Sequence, residues 1–201
     1  MGDHYHVAWL QTLSKEEMKK YADDCIKAAR TLKADLDKDK DQALISLYNE
    51  MEERIIDYIP MLEKQGKSIS CKKGCSHCCH LNVYITEIEA KIIAEYCHDH
   101  NIPIDQNYLM KQLAIDENQI SKSQHSACVF LKNNECSIYP VRPSVCRTMY
   151  VFTDPSLCAI KDNNTIIGYV NMPKVVQLHL ALELVAKEIG RMPLLLIPYS
   201  T

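Results

Sequence analysis

From Ser14 onward, apolar residues recur every three or four positions, through Met18, Tyr21, Ala22, Cys25, Ala28, Ala29, Leu32 and Leu36. That spacing predicts a helix with one buried face, and Ser14 with Glu17 has the spacing of a capping box at its start. The charged run from Asp35 to Gln42 interrupts the stripe without Gly or Pro, so it is either a turn or a solvated helix stretch. A second stripe follows at Leu44, Leu47, Tyr48, Met51, Ile55, Tyr58, Ile59 and Leu62. Two antiparallel helices are expected, ended by Gly66 and Ser68.

Beyond residue 80 the pattern resumes. Thr86 and Glu89 again have capping-box spacing, and Ile88, Ile92, Ile93, Tyr96 and Cys97 predict a helix ending near His100, before Pro103. A further helix is expected over about Asp105 to Ser121, with Leu109, Leu113 and Ile120 on its apolar face. Helices of about 15 and 17 residues rise about 22 and 25 Å, so an antiparallel pair would return the chain almost to its start. Asn133-Asn134 reads as a turn, and Pro140 and Pro143 keep the chain away from helix. Asn163-Asn164 is a second turn signal, next to the β-prone run Thr165 to Val170. Val175, Leu178, Leu182, Val185, Ala186 and Ile189 predict a last amphipathic helix after Pro173, and the apolar tail LLLIPYS is expected to dock on the body.

The resulting fold class is mainly α: a helical bundle around a cysteine-rich, irregular segment, with at most a small β-hairpin. Residues 1–66 form an N-terminal helical hairpin, 67–160 the cysteine-rich region and 161–201 the C-terminal helix and tail, within one compact domain.

With 201 residues, the chain is long enough to bury a core without disulfide staples. The first residues show no basic segment followed by an apolar run, and no stretch of eighteen apolar residues occurs. A soluble, cytoplasmic protein is expected, in which clustered thiols stay reduced. A formal net charge of -3 argues against a nucleic-acid partner. The five glycines are too scattered for a phosphate-binding loop.

Against that background the cysteines stand out. Cys71, Cys75, Cys78 and Cys79 fall in CKKGCSHCC, and Cys128, Cys136, Cys146 and Cys158 follow. The other two, Cys25 and Cys97, sit on the predicted helical stripes and read as small core residues. Thiolates suit zinc, copper(I) and iron-sulfur clusters, and a four-thiolate site combines a short-spaced group with distant partners. Eight donors are enough for two such centres. Successive side chains of an extended segment diverge, so adjacent Cys78 and Cys79 suit two ions or one polynuclear cluster better than one mononuclear site. Cys128 is expected to come back beside Cys71 to Cys79. His77 and His80, and the more distant His98, His100 and His125, read as solvated or supporting groups, because enough thiols exist already.

CKKGCSHCC followed by CVFLKNNECSIYPVRPSVCR resembles the YkgJ-type cysteine-cluster proteins, zinc- or iron-chelating domains with a CxxCxxCC signature. The resemblance rests on Cys128 before Phe130 and Leu131, Cys136 before Ile138 and Tyr139, and the stretch Arg142, Pro143, Cys146, Arg147. It spans about Cys71 to Cys158. The first gap here holds three residues, Lys72 to Gly74, where the signature has two. The resemblance implies metal chelation and no particular reaction.

Eight thiolates carry more charge than two divalent ions neutralise, so Lys72, Lys73, Arg142 and Arg147 are expected to supply cations. Ile138 and Tyr139 read as packing.

The expected function is a metal-binding module holding zinc or iron, including an iron-sulfur cluster, with the metal as ligand and a protein partner on the helical surface. No catalytic residue is assigned, and the balance leans away from an enzyme. Two alternatives carry specific features. Cys71, Cys75 and Cys78 resemble the cluster motif of radical S-adenosylmethionine enzymes, and the cysteine pattern also resembles flagellin lysine methylases. A redox sensor, with Cys78 and Cys79 as its exposed thiols, is the other.

Overall fold

The computed structural model describes residues 5–72, 74–114, 127–158 and 170–200. The predicted turn at Asn163-Asn164, nearly all of the run Thr165 to Val170, His125, Lys73 and the far end of the fourth predicted helix lie outside them.

After a 3-10 turn at Tyr5–Thr12, α1 spans Lys15–Leu36 and α2 spans Lys40–Lys64. The capping box of α1 is formed: Glu17 N–H donates to Ser14 Oγ, and the Ser14 backbone N–H donates to Glu17. Its buried face is Cys25, Ala29, Leu32 and Leu36, while Met18 and Ala22 are exposed because the first turns overhang the body. The charged run resolves as a turn, with Asp39 accepting from Gln42 N–H to cap α2. Gly66 closes α2 at φ +68°, where the Gly66 and Lys67 N–H groups return to Glu63 and Leu62. That double bond pattern needs a left-handed residue after the helix, which only glycine adopts without cost.

Strand β1, Tyr84–Thr86, leads into α3, Glu87–Asp99, whose Thr86–Glu89 capping box is also formed. Helix α4 covers Gln106–Leu113. Strands β2, Leu131–Lys132, and β3, Glu135–Cys136, form a tight hairpin whose corner residues Asn133 and Asn134 both have positive φ, at 52° and 63°. This two-residue turn matches the twist of its strands, and asparagine tolerates it. The short α5 covers Ser144–Arg147 and α6 covers Pro173–Val185. Strand β4, Ile189–Arg191, pairs antiparallel with β1, and α7, Met192–Leu196, buries Leu195 and Leu196 of the predicted apolar tail, while Leu194 and Tyr199 stay exposed.

Among the described residues the fold is mainly helical, with seven α-helices and two small two-stranded sheets. None of these helices is long and apolar enough to cross a membrane. The core runs from Leu32 and Leu44 through Met51, Ile93 and Leu109 to Phe130, Val175, Leu182 and Leu196. Helices α1 and α2 pack on α6, so both ends of the chain meet, and Tyr21 Oη donates to the Pro173 carbonyl at 2.8 Å.

One expectation is corrected. The last helix stops at Val185, because the Glu87 carboxylate accepts the Lys187 and Glu188 N–H groups and draws the chain into β4. Ile189 is thus an exposed strand residue and not part of a helix face. Helix α3 is 13 residues long, close to the expected length, and α4 is described over 8 residues, the far part of its predicted span lying outside the described residues. Here two side chains of α4 catch the returning chain, where Tyr108 Oη and Gln112 Nε2 donate to the Ala127 carbonyl at 2.7 and 2.9 Å.

Candidate metal centre

That catch delivers Cys128 to the first cysteine loop, as expected: its N–H donates to the Cys79 carbonyl at 2.7 Å. The loop itself is shaped by few residues. Ser70 N–H bonds the Val151 carbonyl, and Val151 N–H returns to Cys71 Sγ at 3.4 Å, which fixes Cys71 against the far end of the cysteine segment. Gly74 turns the chain at φ +86°, with Cys75 N–H on the Lys72 carbonyl. A second residue type there would be strained whatever the space around it.

Cys78 and Cys79 lie on a 3-10 turn, His77–His80, and not on an extended strand. The adjacent Cys79 thiol, together with burial, pushes the Cys78 thiol well above its ordinary range.

Cys128 stands before the β2–β3 hairpin and Cys136 ends it, with Phe130 and Ile138 wholly buried beneath. Ile138 is packing, as expected; Tyr139 is instead 58% exposed and carries Arg142 over its ring at 3.9 Å. Cys146 rides on α5. The position of α5 is set by Glu89, a carboxylate only 1% exposed, which accepts the Ser144 N–H at 2.7 Å and caps that helix. Glu89 also accepts Tyr48 Oη and both Thr86 donors, so one buried carboxylate ties α2, α3 and α5 together. Behind it, Ser144 Oγ meets His179 Nδ1 at 2.9 Å, and His179 Nε2 lies 3.5 Å from Glu183, whose carboxyl burial raises to about 7. Sequence reasoning missed this network, although the Thr86–Glu89 spacing marked one member.

Seven of the eight thiols fall into two neighbouring groups, and Cys79 sits beside Cys78 on the 3-10 turn. Cys158 lies within electrostatic reach of Cys71, Cys75 and Cys78. Cys146 lies within reach of Cys78, Cys128 and Cys136. Cys78 belongs to both. Burial raises Cys71, Cys136 and Cys146, lifts Cys158 to about 11 and lifts Cys128 to about 12. Thiols in this state are protonated at neutral pH, so a metal must displace their protons. Among the described residues, no three His, Cys, Asp or Glu side chains close around one point that would hold an ion. The donor set nevertheless fits a thiophilic metal in kind, since the candidate ligands are all thiols and the final convergence of such ligands is work that binding itself does.

Arg142 and Arg147 are both buried, with side chains 8% and 3% exposed, and both bond Glu52 Oε1, at 2.7 and 2.5 Å. Burial pulls Arg142 down, but Glu52 and the Tyr150 and Tyr139 hydroxyls outweigh it and hold its cation; burial and the Arg142 charge push Arg147 down. Arg142 in turn favours the thiolates of Cys78, Cys136 and Cys146. Of the other expected cations, Lys72 is exposed. Cys25 and Cys97 are core residues, 5% and 2% exposed. His77 and His80 are half-buried on the turn, and His98 is solvated.

A model of the family CxxCxxCC, "Putative zinc- or iron-chelating domain", matches residues 70–173, just over half of the chain. The chain belongs to the CxxCxxCC family. No curated protein and no solved structure matches it. The matched span includes all eight gathered cysteines together with both arginines, and it leaves α1 and α2 outside.

Proposed function

We propose that this CxxCxxCC domain is a thiolate metal-binding module that holds zinc or iron at a two-centre or polynuclear site. Its ligands are drawn from Cys71, Cys75, Cys78, Cys79, Cys128, Cys136, Cys146 and Cys158. The observation that supports the reading is the meeting of distant cysteine segments: Cys128 N–H donates to the Cys79 carbonyl at 2.7 Å, and Val151 N–H donates to Cys71 Sγ at 3.4 Å. A shared thiolate is what joins two metals into one centre, and eight thiol donors on segments that meet suit such a centre better than two isolated ones. Bound metal would supply the cross-link that the short elements around it lack. The buried arginines would offset the charge that the thiolates leave over. The reading fits a reducing compartment such as the cytoplasm, where clustered thiols stay available for metal.

Metal analysis and an absorption spectrum on protein purified without oxygen test this reading. Two or more zinc ions per chain in a colourless sample, or iron with sulfide in a brown one, support it. A folded, metal-free protein that takes up neither overturns it. The adjacency of Cys78 and Cys79 on one 3-10 turn favours a second reading, a thiol sensor that releases metal when the pair is oxidised. Metal retained under mild peroxide would exclude it.

A further inference from the structure

Glu52 belongs to α2, outside the matched domain and far in sequence from every clustered cysteine. Its Oε1 nevertheless accepts from both Arg142 and Arg147. The other guanidinium donors go to neutral partners: the Tyr139 carbonyl and Tyr150 hydroxyl for Arg142, and the Arg142 and Pro140 carbonyls for Arg147. Each cation also lies over an aromatic face, Arg142 on Tyr139 and Arg147 on Tyr48 at 4.1 Å. Two buried cations thus share one carboxylate. One positive charge is left over, on the side of Cys136 and Cys146, and a buried charge without a counter-ion is costly.

The thiolates of a loaded centre are the counter-charge within reach. Glu52 and the thiolates therefore compete for the same two guanidinium groups. We propose that Glu52 is a positioning residue that sets the metal affinity of the thiol centre, holding it below the affinity the two arginines would otherwise confer. Glu52 touches no ligand and acts only through Arg142 and Arg147. The inference rests on the metal-binding reading above, and it gives α2 a part in the chemistry of the cysteine segment. A site whose affinity is held down in this way is suited to giving its metal up as well as keeping it.

Glu52→Gln separates this role from a brace, because glutamine keeps an accepting oxygen and removes the charge. Zinc(II), or iron(II) where the purified protein carries iron, is titrated without oxygen against a competing chelator, and melting of the metal-free protein is followed in parallel. The metal-free variant should melt lower, since it loses a charged partner for two buried cations. Its metal affinity should rise by about fivefold, a figure kept modest because the Glu52 side chain is 39% exposed and water screens it. Lower stability with equal or weaker affinity would reduce Glu52 to a brace and overturn the proposal, while the metal-binding reading would survive. A wild-type protein that binds neither metal overturns both. If Glu52→Gln does not fold, Arg142→Gln gives the opposite test: affinity should fall by about fivefold, and unchanged affinity would overturn the proposal.

Discussion

The wall formed by α1, α2 and α6 and the segment from Cys71 to Cys158 are held together by different physics. In the wall, buried positions recur at helical spacing and are filled by apolar side chains such as Ala29, Leu32, Leu44, Met51, Val175 and Leu182. Among the described residues of the cysteine segment the elements are short, α3 being the longest, and the chain is steered by single contacts such as Ser70 on Val151, Cys128 on Cys79 and Ser144 on Glu89. The wall gains stability from buried apolar area, whereas the cysteine segment spends buried volume on polar and ionisable groups that need partners. A region built in the second way is costly to order and is suited to a ligand that binds only its folded form.

The sharpest way to break this contrast is to remove a ligand. Cys146→Ala should lower metal content by at least one ion per chain and destabilise the metal-loaded protein by about 5 kcal/mol or more, because binding energy at such sites is folding energy. Metal analysis with thermal melting reads both, and unchanged values in both would contradict the assignment. The matching change in the wall is Met51→Ala, at a wholly buried position. It should cost about 2–5 kcal/mol through the cavity it leaves. Here metal stoichiometry should stay the same, and loss of metal would show that the two regions are not separable.

A pH series sharpens the contrast further. Burial raises Cys128 to about 12 and Cys158 to about 11, from an ordinary value of 9.0. A raised value in the folded state means that the stabilisation is complete below pH 9 and is lost as pH climbs towards 11 and 12. Metal-free protein should therefore melt at progressively lower temperature across that window, and metal-loaded protein, with its thiolates already formed, should resist the change. Parallel curves for the two forms would argue that these thiols do not bind the metal. The smallest expected effect is at the start of the wall, where Ser14→Ala should cost about 0.5–1 kcal/mol by removing one side of the α1 capping box, with no change in metal content.

What was legible in the sequence follows the same division. The stripes through Leu32, Leu44, Met51 and Ile93 identified the wall and α3, because a helix repeats its geometry and so repeats its apolar residues. The two capping boxes and the asparagine turn could be placed because each is a local bond pattern with a fixed spacing. The eight cysteines were legible by type and number. The 3-10 turn that carries Cys78 and Cys79 was not, since short polar spacing around a glycine reads equally well as an extended segment. The end of α6 was also missed, because Ile189 continues the apolar spacing while a carboxylate from α3 ends the helix.

By itself, then, the chain determined the elements whose signals are local: helices with one apolar face, their caps and turns, and a stock of thiols suited to metal. Tertiary structure alone decided that Glu52 of α2 meets Arg142 and Arg147, that Glu89 caps the helix bearing Cys146, and that Cys78 belongs to both thiol groups. Those contacts join residues far apart in the sequence, and a lone Glu on a helix has the same local pattern whether it faces water or two buried cations. Only packing, by removing water from around the charges, gives them a partner and a consequence.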